Sequence, residues 1–344
     1  YISRYNNIQM ARKISLNSAY GAIGNQYFRY YDLAIAEGIT TAGQLSIRWI
    51  ERKINQYLNK LLKTDKDYVI ASDTDSIYVR FDELVSMVNP KNPIDFLNTI
   101  ANEKIEPYIE KSYQQLADYT SAYEQKMFMK REVIADKGIW TAKKRYILNA
   151  WDVEGVRYKK PQLKIMGIEA VKSSTPAPCR EKIKEALEII MSGSEKELND
   201  FLIQFRKEFD SLAPEDIAYP RSINGIRKWG SSSSIYRKGT PMHIKGALIF
   251  NHMIKSKGLT NKYPLVVGGG KIKYLQLRQP NPLASNVISF ITKVPKELDI
   301  HKYIDYDSQY EKSFIDPLSF ITNNIGWKID RSFGTQTTLE DFFG

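Results

Sequence analysis

Asp73-Thr74-Asp75 stands between two short β-rich runs, Tyr68-Val69-Ile70 and Ile77-Tyr78-Val79. Residues two apart on a strand share a face, so this spacing gathers two carboxylates at the tip of a hairpin. Such a pair repels itself unless a cation lies between, and Mg²⁺, which takes oxygen ligands, meets that need. An exposed acidic turn is the plainer reading of the same residues. Lys13, Asn17 and Tyr20 fall at i, i+4 and i+7, with Gly21 next to Tyr20, on one face of a helix. A lysine for a phosphate, an amide for hydrogen bonding and a tyrosine plane could hold a nucleotide; a solvated helix face is the alternative. Lys143-Lys144-Arg145-Tyr146 opens a strand run, and alternation sends Lys144 and Tyr146 one way, Lys143 and Arg145 the other. Cations with an aromatic suit a phosphate backbone and a base or sugar edge; a charged edge strand that blocks aggregation fits as well. Near the end, Gln336, Leu339, Phe342 and Phe343 line one face of a helical turn. Two adjacent Phe at a terminus are costly to expose unless they dock, on a partner or on their own domain.

The elements that must position these residues are legible in outline. Helical spacing predicts a helix over about 7–23 and a stronger one over 39–62, with Leu45, Trp49, Ile50, Ile54, Tyr57, Leu58, Leu61 and Leu62 as its apolar face. A further helix is expected at 93–118. Strands are expected at 126–129, 131–135, 145–151 and 156–158. The layout is α+β with an antiparallel sheet. Small residues and Pro at 167–178 mark a boundary, after which 180–190 and 194–210 read as helices. Residues 217–296 read as loop and strand. Gly268-Gly269-Gly270-Lys271 lacks the spaced first Gly of a phosphate loop, where Leu265 stands, and its Ser/Thr, where Ile272 stands; a glycine turn is expected instead.

The 344 residues suffice for two or three domains, and 42% hydrophobic with 22 Tyr marks a folded chain. The single Cys179 excludes a disulfide framework, and with 3 His it argues against a zinc site. No apolar run approaches the roughly 20 residues of a membrane span, and no signal-peptide pattern opens the chain. These points indicate a soluble intracellular protein. The first residue is Tyr1, not Met, as expected of a fragment, a processed product or part of an incomplete reading frame. The net charge of +11 is unevenly spread. Residues 1–136 are balanced, and 137–172 carry +6. Residues 173–216 carry −4, and 297–344 carry −5. Residues 217–296 hold 14 Lys and Arg and no Asp or Glu. A solvated face normally mixes both signs, so this block is expected to face phosphate.

Taken together, these motifs resemble one family. Lys13-Ile14-Ser15-Leu16-Asn17-Ser18-Ala19-Tyr20-Gly21 is similar to the fingers motif of family B DNA polymerases, Asp73-Thr74-Asp75-Ser76 to their palm motif, and Lys143-Lys144-Arg145-Tyr146 to a third motif in the same order. Phe28-Arg29-Tyr30-Tyr31-Asp32, Trp49-Ile50-Glu51-Arg52-Lys53 and Leu163-Lys164-Ile165-Met166-Gly167 resemble the replicative polymerases of T-even-type tailed bacteriophages. The resemblance covers nearly the whole chain. Its tail looks like a sliding-clamp-binding peptide.

The resemblance implies a DNA-directed DNA polymerase, a nucleotidyltransferase, that adds dNTPs to a primer 3′ end on template DNA with two Mg²⁺ ions. Asp75 and Asp73 would be metal ligands and catalytic residues, with Glu132 a further catalytic carboxylate. Lys13 would meet the triphosphate, and Asn17 and Tyr20 would line the nascent base pair. Lys143, Lys144, Arg145, Tyr146 and Lys164 would hold primer–template DNA. Gln336, Leu339, Phe342 and Phe343 would bind the clamp. The implied domains are a fingers helix at 1–26, palm at 27–167, thumb of mixed helix and strand at 168–334, and clamp-binding tail at 335–344. The implied location is the host cytoplasm. Two departures stand out. Ala71-Ser72 replaces the usual Tyr-Gly before the aspartates, and the earlier palm motif D-x-x-S-L-Y-P, which supplies another catalytic Asp, is missing. Asp305-Tyr306-Asp307-Ser308 is no substitute, since its flanks resemble thumb. The chain therefore reads as a C-terminal half that needs an N-terminal half for catalysis and proofreading. The alternative is a non-catalytic DNA-binding and clamp-docking module.

Overall fold

The computed structural model describes residues 2–231 and 233–331. Helices and antiparallel strands alternate along it, an α+β architecture. The chain divides into two units, Tyr1–Ile134 with Trp151–Lys159, and Ala135–Ala150 with Lys160–Gly344.

The first unit opens with α1 (Ile2–Ile23) and α2 (Leu33–Leu62). Asp32 caps α2 by accepting from the Ile35 N–H at 3.0 Å. The two helices differ in kind. Among the described residues α1 buries no side chain, whereas α2 is amphipathic and buries Ile50, Ile54 and Leu58. Those three pack with Tyr68, Val69, Ile109, Tyr113 and Leu116 into the unit's core. Each such buried side chain contributes about 1.5–3 kcal/mol relative to exposure.

Strands β1 (Val69–Asp73) and β2 (Ser76–Val79) form an antiparallel hairpin. Asn55 on α2 fixes where that hairpin starts: its Oδ1 accepts from the N–H groups of Tyr68 and Val69 at 2.8 and 3.0 Å. After α3 (Asp82–Val88), the helix expected at 93–118 is present as α4 (Pro93–Ile100) and α5 (Glu106–Tyr119), joined by a π-helical turn at Ala101–Ile105. Pro107 explains the widening. It has no N–H, and its ring would strike the carbonyl four residues back in a regular helix. The same device recurs in the second unit, where a π turn at Glu311–Ile315 precedes Pro317. Trp49 ties α2 to α5 through Nε1–H to the Ser112 carbonyl, 2.9 Å. Residues 126–129, expected as a strand, are irregular.

Strands β3 (Val133–Ala142), β4 (Arg145–Val153) and β5 (Val156–Met166) follow in that order in one sheet. The second unit continues with α6 (Ala177–Ser192), α7 (Glu195–Asp210) and α8 (Pro214–Ile217). Ser194 and Glu197 form a capping box at the start of α7. Strands β6 (Tyr219–Ser222), β7 (Lys271–Gln276) and β8 (Val287–Phe290) make an antiparallel sheet, with Tyr219 opposite Tyr274 and Leu275 opposite Ile288.

Helix α9 (Met242–Ser256) interrupts the stretch read as loop and strand. It is apolar on several sides, burying Ile244, Ala247, Ile249, Phe250 and Ile254, so no clean amphipathic stripe announces it. Gly246, a poor helix former, is there for contact: a Cβ on it would lie 2.5 Å from Ser289 Oγ and 2.7 Å from Ser289 N on β8. Helices α10 (Tyr306–Tyr310) and α11 (Asp316–Thr322) complete the core, where Phe205, Phe209, Tyr310 and Phe314 pack ring to ring. Asp305 caps α10, accepting from the Ser308 N–H and hydroxyl at 2.9 and 2.7 Å, which accounts for the acidic-looking 305–308 segment. Gly269, at φ 87°, turns the chain into β7, as expected of the triple glycine. No helix among the described residues is long and apolar enough to cross a membrane.

Candidate functional site

The two aspartates sit at the hairpin tip, though not as alternation along one strand implies. Asp73 ends β1 and pairs with Ser76, so Thr74-Asp75 is a two-residue turn. Thr74 adopts φ 55°, and the Asp75 N–H reaches the Asp73 carbonyl at 2.6 Å. The Thr74 hydroxyl donates to Asp73 Oδ1 at 3.0 Å, and the Ser76 hydroxyl to the Asp73 carbonyl at 3.1 Å. This wrapping sets the Asp73 carboxylate on the strand end and leaves Asp75 exposed on the turn. Behind them, burial pushes the Tyr113 hydroxyl above its ordinary pKa, and the Asp75 charge adds to the shift.

Glu132 directly precedes β3, and its carbonyl accepts from the Glu154 N–H at 2.6 Å. Its neighbour Arg131 is pinned from several sides. The guanidinium is ion-paired to Asp152 and donates to Asn98 Oδ1 at 2.9 Å, while the Arg131 N–H donates to Glu106 Oε1 at 2.8 Å. Asp152 is 3% exposed and also accepts from Arg157 Nε at 3.2 Å and the Gly155 N–H at 3.0 Å. Arg157 in turn reaches Asp95 at 2.6 Å. Burial pushes the Asp152 carboxyl up, but the hydrogen bonds from Arg131 and Arg157 outweigh it and hold the group below its usual range. This network links α4, the approach to β3 and the β4–β5 turn around Glu132. Spacing along the chain gave no sign of Asp152 or Asp95.

Lys13, Asn17 and Tyr20 share the exposed surface of α1, with Tyr20 45% exposed. Among the described residues no group of three or more His, Cys, Asp or Glu is placed to hold a metal ion. The donor set fits Mg²⁺ in kind, since it is carboxylate oxygen, and is short in number.

In the second unit, Lys143-Lys144 is again a two-residue turn, between β3 and β4, with Lys144 at φ 60°. Both lysines are exposed. Tyr146 is buried at 8% beside Trp140, and Arg145 forks onto Glu169. Lys164 lies half-buried on β5. Of the 14 cations in 217–296, Lys262 alone meets a carboxylate, Glu297, among the described residues. Gln336, Leu339, Phe342 and Phe343 lie outside the described residues.

The described residues thus present an acidic hairpin turn in the first unit and, in the second, a run of cations of which most meet no carboxylate. Residues 2–222 match the family profile described as "DNA polymerase family B". The chain is 36% identical to the "DNA-directed DNA polymerase" of Enterobacteria phage T4, over 98% of this chain and 39% of that protein. It is 40% identical to the "DNA-directed DNA polymerase" of Escherichia phage RB69, over 92% of this chain and 36% of that protein. It is also 23% identical to "DNA polymerase 1" of Aeropyrum pernix, over 72% of this chain and 22% of that protein. The chain belongs to DNA polymerase family B. It spans about two fifths of the length of the phage relatives it matches.

Proposed function

We propose that this chain supplies the palm and thumb of a DNA-directed DNA polymerase that extends a primer on template DNA, and that it depends on an N-terminal portion for the missing catalytic Asp and for proofreading. The observation that carries the reading is the Asp73-Thr74-Asp75 turn, which offers two carboxylates at one hairpin tip. Family membership and the lack of a D-x-x-S-L-Y-P segment support the dependence on a further portion.

Two Mg²⁺ ions, when bound, lower the pKa of the primer 3′-hydroxyl and offset charge on the triphosphate. Asp75 would hold both and Asp73 would lend a second carboxylate; water, phosphate oxygens and a carboxylate from the N-terminal portion would complete the shells. Lys13 on α1 steadies the triphosphate. Asn17 and Tyr20 on the same face test the shape of the new base pair. Lys143, Lys144 and Lys164 hold primer–template phosphates near the reacting end. The cations of 217–296 grip the duplex product; that 13 of the 14 meet no carboxylate among the described residues supports a partner rich in phosphate. On this reading 1–26 belongs to the fingers, 27–167 to the palm, 168–334 to the thumb, and the tail from 335 docks on a sliding clamp.

Asp73, Asp75, Lys13 and Asn17 favour the polymerase, while the missing palm motif permits one competing reading, a non-catalytic module that binds DNA and the clamp. Co-expression with a polypeptide carrying the N-terminal portion separates them. Primer extension that appears on mixing and vanishes with Asp75→Ala supports the polymerase. A soluble complex with no extension supports the module.

A further inference from the structure

Arg145 looks like a DNA contact by its place in Lys143-Lys144-Arg145-Tyr146, but both of its terminal nitrogens are engaged within the protein and its Nε is buried. Nη1 donates to Glu169 Oε1 at 2.9 Å and Nη2 to Glu169 Oε2 at 2.7 Å, a two-point fork between a planar cation and a carboxylate. Lys172 Nζ also donates to Glu169 Oε1, at 2.9 Å. The guanidinium also lies 5.7 Å from the centre of the Phe320 ring. Glu169 is rigidly seated, because its neighbours Ile168 and Ala170 are buried at 0% and 1%. Burial pushes its carboxyl up, yet the Arg145 and Lys172 hydrogen bonds bring it down to about 2. To reach a phosphate, Arg145 would have to give up both bonds and leave a carboxylate behind.

The backbone around this fork is tightly fitted. Gly167 adopts φ 66°, and a Cβ on it would lie 2.1 Å from the Lys144 carbonyl oxygen. The Lys144 peptide therefore lies flat on Gly167, two residues from Glu169. Lys144 itself sits in the left-handed region, a conformation that costs a non-glycine residue free energy unless its surroundings hold it. The fork supplies that hold one residue further on.

We propose that Arg145 is a positioning residue: its fork to Glu169, with the turn backbone laid on Gly167, holds Lys143 and Lys144 toward the primer–template phosphates, and Arg145 itself touches no DNA. The inference rests on the reading that this turn meets DNA.

The test is binding of the full chain to a primer–template duplex across a range of NaCl concentrations, for wild type, Lys143→Ala, Arg145→Lys and Glu169→Gln. Each lost phosphate contact lowers the slope of log affinity against log salt by about 0.9. Lys143→Ala should show that loss. Arg145→Lys keeps the charge but breaks the fork, and should weaken binding about fivefold or more with the slope unchanged. Glu169→Gln decides by sign. Removing a negative charge tightens DNA binding in general, and freeing Arg145 for phosphate would tighten it more; the positioning role requires weaker binding. Circular dichroism melting checks that each variant is folded, and Arg145→Lys carries the test if Glu169→Gln is not. Tighter or unchanged binding by Glu169→Gln, or full affinity in Arg145→Lys, overturns the inference. A wild-type slope in Lys143→Ala overturns the underlying DNA-contact reading instead, through a separate readout.

Discussion

Asp152→Ala should damage the first unit out of proportion to the size of the change. Asp152 is 3% exposed and the Arg131 side chain 13%, so the pair is largely shielded from water. Removing one partner of a buried pair costs about 3–5 kcal/mol, because the other charge is left uncompensated. Arg131 retains its 2.9 Å bond to Asn98 but already carries a buried Nε with no hydrogen-bond partner. The low end, about 3 kcal/mol, is therefore expected, or about 6–12 °C at about 2–4 °C per kcal/mol. In an Arg131→Met background the same substitution should cost far less, since the remaining partner, Arg157, is 36% exposed and keeps Asp95. The pH dependence has a definite sign. The folded carboxyl is held below its unfolded value, so its contribution is present above the ordinary carboxylate range and lost as pH falls through the folded value. Asp152→Ala should accordingly flatten the acid limb of the stability curve. Thermal melts of the four proteins of this double-mutant cycle, at pH 7 and pH 3, make the check. Equal costs with and without Arg131, within about 0.5 kcal/mol, would refute the account of a coupled network around Glu132.

Two further outcomes follow from other parts of the chain. Gly246→Ala should lower stability although alanine is worth about 1 kcal/mol more than glycine in a helix, because the new methyl meets the β8 backbone at 2.7 Å, an overpacking cost of about 1–3 kcal/mol; a raised melting temperature would contradict the close approach of α9 and β8. Deleting 336–344 should abolish binding to a sliding clamp and leave duplex affinity nearly unchanged, measured by surface plasmon resonance and fluorescence anisotropy respectively; a large loss of duplex affinity would contradict the docking role.

Helix α2 was legible because its burial is one-sided. The apolar spacing of Ile50, Ile54 and Leu58 is the face that packs, and only the ends differ, with α2 starting at Leu33 rather than 39. Both acidic and basic motifs were found, but their geometry was misjudged in the same way. Alternation treats Asp73 to Asp75 and Lys143 to Tyr146 as strand residues, whereas Thr74-Asp75 and Lys143-Lys144 are two-residue turns with a left-handed residue in each. Thr and Lys are poor signals for such turns, which favour Asn and Gly. Helix α9 was missed because burial on several sides erases helical periodicity, and because Gly246 is selected by contact with β8 rather than by propensity. Glu169 and Asp152 were invisible for another reason: each acts through a partner more than 20 residues away in sequence, Arg145 and Arg131, which no local pattern can pair.

The central claim concerns the hairpin carboxylates, and primer extension addresses it most directly. The chain alone, and the chain co-expressed with a polypeptide carrying the N-terminal portion, would each be given a labelled primer–template, dNTPs and Mg²⁺, with wild type and Asp75→Ala compared. The account predicts no extension by the chain alone, extension by the complex, and loss of that extension on Asp75→Ala or on chelation of the metal. Extension by the isolated chain, or extension by the complex that survives Asp75→Ala, would contradict it.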